Sequence, residues 1–183
     1  MLFAVLYNTG ARVSEVINLR VDDVVLDVSP VAHLNEKGRK RRSVPLWKAT
    51  AAIVRPWVRQ LARAGGTDYL FPNSAGGKLS RSSVTQRLAL AVEAATQHHP
   101  QLAGRAISPH TVRHTTAMHL LQAGVDITVI ALWLGHESPT TTHGYLEADL
   151  SMKEEALSRL QPLNGVQARY RPPDRLMAFL QSI

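Results

Sequence analysis

The sequence predicts a mainly α-helical domain carrying a small antiparallel β-sheet, an α+β fold. Two observations predict it. Helical apolar spacing, with Ser or Asp starts and Gly stops, covers most of the chain. One valine-rich region, residues 21–46, instead breaks into short runs separated by turn residues. A third observation bounds the size: 183 residues, 45% hydrophobic, suffice for one good-sized domain, with or without a tail.

The elements follow in order. "MLFAVLYNTGARVSEVINLR" reads as two helical pieces broken at Thr9-Gly10, with Leu2, Val5 and Leu6, then Val13, Val16 and Ile17, at helical spacing. No N-cap precedes the first piece. "VVLDV", "VAHLN" and "RSVPL" predict about three strands, and "EKGRKR" a turn with Gly38 at its tip. "WKATAAIVRPWVRQLARAG" is a helix stopped by Gly65-Gly66, with Pro56 inside it as a candidate kink. "YLFPNSAGGKLS" is a loop, and "SRSSVTQRLALAVEAATQHH" a helix capped by Ser80 or Ser82. "SPHTVRHTTAMHLLQAG" has Ser108 for the N-cap, Pro109 for the first helical position and Gly124 just past the end. "DITVIALWLG" repeats that plan from Asp126 to Gly135. "PTTTHGYL" is a short helical turn, "DLSMKEEALSRL" a helix and "NGVQARYRPP" a linker. "DRLMAFLQSI" is a final amphipathic segment, too short to be stable unless docked.

Charge narrows the partner. A net charge of +7 points to a polyanion, either nucleic acid or an acidic membrane surface. Five of the 21 Lys and Arg crowd between Lys37 and Arg42. The absence of cysteine excludes a disulfide framework and a thiolate metal site, and fits a reducing cytoplasm. No apolar run approaches the ~20 residues of a membrane span. The apolar start lacks the basic region of a signal peptide.

Several residues can carry chemistry. His110 and Arg113 share one face near a helix N-terminus, which favours anions. Glu15 stands one turn after Arg12 and can pair with it. His136 lies just beyond the helix stop at Gly135, and Tyr145 nine residues later on a separate element. A phenol is a weak nucleophile at its ordinary pKa of about 10, and nearby arginines would both lower that value and clamp a phosphate. His110 and His114 have a two-ligand metal spacing, but a third protein ligand and the "HExxH" pattern are missing, so no metal site is expected.

Taken in order, Arg12, Lys37, His110, Arg113, His136 and Tyr145 form a set that resembles the catalytic domain of the tyrosine recombinase (phage integrase) family. "TGARVSEVINL" is similar to the family's first arginine motif, and "KGRKRRSVPL" to its lysine-bearing β-hairpin. "HTVRHTTAMHLLQAGVD" is similar to its His-x-x-Arg box, and "LGHESPTTTHGYLEAD" to its second histidine and tyrosine box. The likeness runs from about residue 2 to about residue 160.

The resemblance implies a DNA strand-exchange enzyme that needs neither metal nor other cofactor. Tyr145 would be the nucleophile, forming a 3′-phosphotyrosyl link and freeing a 5′-hydroxyl. Arg12 and Arg113 would grip the non-bridging oxygens, Lys37 would protonate the leaving oxygen, with Lys40 as its rival, and His136 would donate to a phosphate oxygen. His110 would assist proton handling and Glu15 would buttress Arg12. Arg39, Lys40, Arg41 and Arg42 would contact the DNA backbone. His114, His119 and His143 match positions outside the catalytic set, where packing or structural hydrogen bonds are expected, and Tyr7, Tyr69 and Tyr170 fall outside the boxes. The implied partners are double-stranded DNA and further copies of the chain, a tetramer on DNA that is weakly associated or monomeric without it, and no membrane. The resemblance also implies a catalytic domain over residues 1–161 without its first helix or the family's N-terminal DNA-clamping domain. Residues 162–183 would be a linker and C-terminal helix, with Leu176, Phe179 and Leu180 filling a groove in trans or in cis. A competing expectation is a catalytically weak DNA-binding remnant of such an enzyme.

Overall fold

The computed structural model describes residues 1–35, 41–63 and 65–136. The predicted tip of the hairpin and everything beyond His136, including the tyrosine turn, the following helix and the tail, lie outside the described residues.

Helix α1, Leu2–Thr9, ends at Gly10, whose φ of 58° is left-handed. The second helical piece is shorter than its apolar pattern suggested. Helix α2 covers only Val13–Val16, and Ile17 and Leu19 enter the core from the turn that follows. The three strands are β1 (Val24–Val25), β2 (Val31–Asn35) and β3 (Arg41–Pro45), antiparallel in the order β1-β2-β3. Strand β1 stops at Val25, and Val28, expected to extend it, is exposed. In the β2–β3 register Ala32 faces Val44 and Leu34 faces Arg42. Ala32, Leu34 and Val44 turn inward, the period-2 pattern of a sheet with one buried face.

Helix α3, Lys48–Arg63, runs through Pro56, which sits on its exposed side. The loop after it is held by its own side chains. Asn73 Oδ1 accepts from the Ala75 and Gly77 amides, and its Nδ2 donates to the Lys78 carbonyl. That order lets Leu70, Phe71 and Leu79 reach the core. Helix α4, Arg81–Thr96, is capped by Ser80, which accepts from the Ser83 amide at 3.0 Å. Helix α5, Pro109–Gln122, starts at Ser108 with Pro109 in its first turn. Helix α6, Ile127–Leu134, is capped by Asp126 and stops at left-handed Gly135. There the Gly135 amide reaches the Leu132 carbonyl and the His136 amide reaches the Ala131 carbonyl, the paired bonds that close a helix on a glycine.

The core joins α1, α2, the inner sheet face, α3 and the start of α4 through Leu6, Val16, Leu34, Val54, Leu70 and Val84. Buried Asn8 pins the sheet to α1, donating to the Pro45 carbonyl at 3.0 Å and accepting from the Trp47 amide at 2.8 Å. The last carbonyls of α1, orphaned by the helix end, find partners on α5 and α6. Thr116 Oγ1 donates to Tyr7 O, Trp133 Nε1 to Asn8 O, and Arg113 to Gly10 O.

Gly10 is doubly constrained. Beyond its positive φ, a Cβ there would stand 2.5 Å from Leu134 Cδ2, a side chain fully buried itself. Gly10→Ala is therefore expected to cost roughly 2–5 kcal/mol, adding a left-handed penalty of about 1–2 to an overpacking cost of about 1–3. Urea unfolding should show the loss as a lower midpoint at unchanged slope; an unaltered midpoint would refute this packing account.

Candidate active site

The C-terminal turn of α6 organises the site. Three consecutive carbonyls there each accept a hydrogen bond from a different arginine. Arg42 Nε donates to Trp133 O at 3.0 Å, Arg113 Nη2 to Leu134 O at 2.9 Å, and Arg12 Nη2 to Gly135 O at a longer 3.4 Å. Helix geometry leaves these carbonyls without intrahelical partners, and the helix dipole makes that end partly negative. Three cations from β3, α5 and the start of α2 thus converge on one helix end.

Each arginine is also held from behind. Arg113 is 4% exposed, and its Nη1 donates to Gly10 O, so it ties α1 to α6 through the centre. Glu15 holds the other two. Its Oε1 accepts from Arg12 Nη1 at 3.0 Å, while its Oε2 accepts from the Arg12 amide at 2.8 Å and from Arg42 Nη2 at 2.9 Å. Burial alone would raise the Glu15 pKa, but the hydrogen bond and charge of Arg42, helped by Arg12, hold it below the usual carboxylate value. The Glu15 side chain is 4% exposed, that of Arg42 9% and that of Arg12 47%, so of these three Arg12 alone is substantially open to solvent.

His136 follows directly on this cluster, its backbone fixed by the bond to Ala131 O. Its pKa is pushed from 6.5 down to about 4, first by burial and then by the charges of Arg113, Arg12 and Arg42. At neutral pH the imidazole is uncharged, able to donate one N–H and to accept at its other nitrogen. A phosphate set among the guanidiniums would offset their charge and raise that pKa.

A cleft of about 410 Å³ opens beside the cluster, between the starts of α2, α4 and α5. Arg12, Arg113 and His110 line it together with Ser108 and Pro109, as the helix-face spacing of His110 and Arg113 suggested. Three further lining residues, Ser14, Arg81 and Thr85, were not singled out from sequence. Arg81 carried a usable signal: a cation in the first turn of α4, where the dipole disfavours it.

Arg12, Glu15, His110, Arg113 and His136 are therefore gathered at or beside one cleft. Lys37, Arg39, Lys40 and Tyr145 lie outside the described residues, as does His143. Arg42 differs from its expected place on the DNA-facing surface, while the Arg41 side chain stays half exposed. Arg41 pairs with Asp23 at 2.9 Å, and Arg42 points inward to Glu15 and α6. Two inward acceptors, a carboxylate and a carbonyl, explain why its guanidinium leaves the solvent. His119 takes the Tyr7 hydroxyl as a structural partner on the far part of α5. Among the described residues, no group of three or more His, Asp or Glu is placed to hold a metal ion.

Comparison with known proteins supplies independent context. A family model described as "Phage integrase family" matches residues 1–152. A protein of Sinorhizobium fredii named as an integrase/recombinase is 45% identical over 175 residues, covering 96% of this chain and 52% of that protein. Tyrosine recombinase XerD of Corynebacterium glutamicum is 42% identical over 147 residues, covering 79% of this chain and 46% of that protein. The chain thus spans about half the length of the curated relatives it matches. Among solved structures, that of XerA recombinase superposes with a TM-score of 0.74 at 27% identity, over 87% of this chain and 56% of that one. XerH site-specific recombinase, in a pre-cleavage complex with its difH substrate, superposes with a TM-score of 0.68 at 25% identity, over 88% of this chain and 46% of that one.

The neutral state of His136 makes stability depend on pH. The unfolded chain takes up a proton near pH 6.5 that the folded chain refuses until about pH 4. Its contribution is thus complete above pH 6.5 and is lost as pH falls from there toward 4. Glu15, depressed in the fold, adds a second loss below its ordinary value of 4.5. Urea midpoints measured from pH 7 to pH 4.5 should decline, and the decline should be shallower in His136→Gln; identical profiles for the two proteins would contradict the assignment.

Proposed function

The chain belongs to the phage integrase family of tyrosine recombinases, and on that premise we propose that it cleaves and rejoins DNA strands as the catalytic part of a site-specific recombinase, with Tyr145 as nucleophile. The observation that carries this reading is the convergence of Arg12, Arg113 and neutral His136 at one helix end beside an open, cation-lined cleft.

Phosphoryl transfer needs charge stabilisation more than covalent help from the protein. In the attack, the Tyr145 oxygen bonds to phosphorus and the bond from phosphorus to the 5′-oxygen breaks. Negative charge gathers on the non-bridging oxygens, where planar guanidinium forks donate in pairs. Arg113 is pre-set by its buried bonds, so little reorganisation accompanies the reaction. Arg12, more exposed, is the fork that can turn toward substrate while Glu15 keeps hold of one nitrogen. His136 donates an N–H to the same phosphate. His110, on the rim of the cleft, assists with the tyrosine proton, and Lys37 gives a proton to the departing 5′-oxygen. The phosphotyrosyl bond keeps the energy of the broken linkage, so a 5′-hydroxyl from a second strand can reverse the step without ATP. Double-stranded DNA is the substrate, and four copies assemble on it for exchange. XerH site-specific recombinase is bound to its difH substrate in a pre-cleavage complex, and here the cluster of Lys37, Arg39 and Lys40 supplies backbone-binding charge.

A DNA duplex nicked just 3′ of the scissile phosphate loses the short fragment that carries the freed 5′-hydroxyl, and this traps the intermediate. Incubation should yield a covalent protein–DNA band that survives denaturation, is absent in Tyr145→Phe and is indifferent to chelator. Removing one transition-state fork in Arg12→Ala should slow its appearance by roughly 100–1,000-fold. No band under any condition would leave a DNA-binding remnant instead.

A further inference from the structure

Arg42 sits on β3, opposite Leu34 in the sheet register and one residue from the root of the connection that contains Lys37. Its guanidinium makes bonds to two acceptors outside the sheet. Nη2 donates to Glu15 at the start of the chain's first arginine box, and Nε donates to Trp133 O, three residues before His136. Its side chain is 9% exposed. It does not line the cleft, so it is not placed to touch a phosphate there.

We propose that Arg42 is a positioning residue for strand cleavage, the cross-tie that fixes the lysine-bearing hairpin, the Glu15–Arg12 pair and the His136-bearing end of α6 in one frame. This rests on the recombinase reading of the site above. The geometry explains why arginine serves here. A planar fork can span a carboxylate and a carbonyl at once, whereas an ammonium on a flexible stem reaches one acceptor or the other. The tie also has an electrostatic side. Arg42 is among the cations that keep Glu15 ionised and His136 neutral. Because Glu15 Oε2 is shared between Arg42 and the Arg12 amide, slack in Arg42 passes to Arg12, and a misplacement of about 1 Å at a reacting group costs on the order of 100-fold in rate.

The test compares the full chain with Arg42→Gln and Arg42→Lys by three measurements: covalent-adduct rate on the nicked duplex, the salt slope of DNA binding, and the NMR titration of His136. Arg42→Gln should slow adduct formation by roughly 100-fold, leave the salt slope unchanged and raise the His136 midpoint. Arg42→Lys keeps a charge beside Glu15 and so protects folding, yet should recover only part of the rate because one acceptor is lost. A salt slope smaller by about one, with affinity falling in step, would overturn the proposal and make Arg42 a backbone-phosphate contact. A full wild-type rate in both variants would overturn it too. If wild type itself forms no adduct, the recombinase reading fails, while the titration still decides Arg42: a raised midpoint in Arg42→Gln sustains the cross-tie and an unmoved one refutes it.

Discussion

Everything in this domain that bears on the site depends on the last turn of α6. A helix must end with carbonyls that no backbone amide can reach. Here the orphaned carbonyls of Trp133, Leu134 and Gly135 are answered by Arg42, Arg113 and Arg12, from three parts of the chain up to 123 residues away. One local shortage of donors thereby becomes a long-range clamp. The partial negative charge of the helix end lets three guanidiniums gather where they would otherwise repel. Of the three, Arg12 and Arg113 also line the cleft, while Arg42 stays behind it. The arrangement also fixes His136, which leaves the helix just after the last of the three carbonyls.

The clamp carries a buried carboxylate with it. A single ionised Glu15 inside the protein would be costly, and a pair only partly compensates for lost solvation. Glu15 accepts three hydrogen bonds spread over both oxygens and stays ionised. Such a network confers definition rather than surplus stability, since losing any member strands a charge. Gly10 shows the same economy of space. Glycine occupies the turn because no Cβ fits beside Leu134, and its carbonyl accepts from Arg113. Close packing against Leu134 and the placement of buried Arg113 meet at this one residue.

Much of this was legible in residue order. Ser108, Pro109, Asp126 and Gly135 mark the ends of α5 and α6 by local chemistry, and the structure uses each one in that role. The three short strands follow from valine-rich runs between turn residues, though β1 proved shorter, with Val28 left fully exposed. Arg12, Glu15, His110 and Arg113 were legible through spacing and family likeness together. The split between exposed Arg41 and inward-pointing Arg42 was not. In sequence they belong to a run of five cations, and composition treats such a run as one solvated face. Strand alternation divides them instead, and Arg42 meets acceptors that lie 27 and 91 residues away.

By itself, then, the sequence determined the helix caps, the sheet and the family, and it nominated the residues proposed to handle a phosphate, because caps, periodicity and motif order are local properties. Tertiary structure alone decided which cations face solvent and which are structural, and why His136 is neutral. Those outcomes depend on distances between Arg12, Arg42, Arg113 and one helix end, and on how much water the packed chain leaves around them. No window of sequence contains those distances, since they exist only once α1, β3, α5 and α6 have closed on one another.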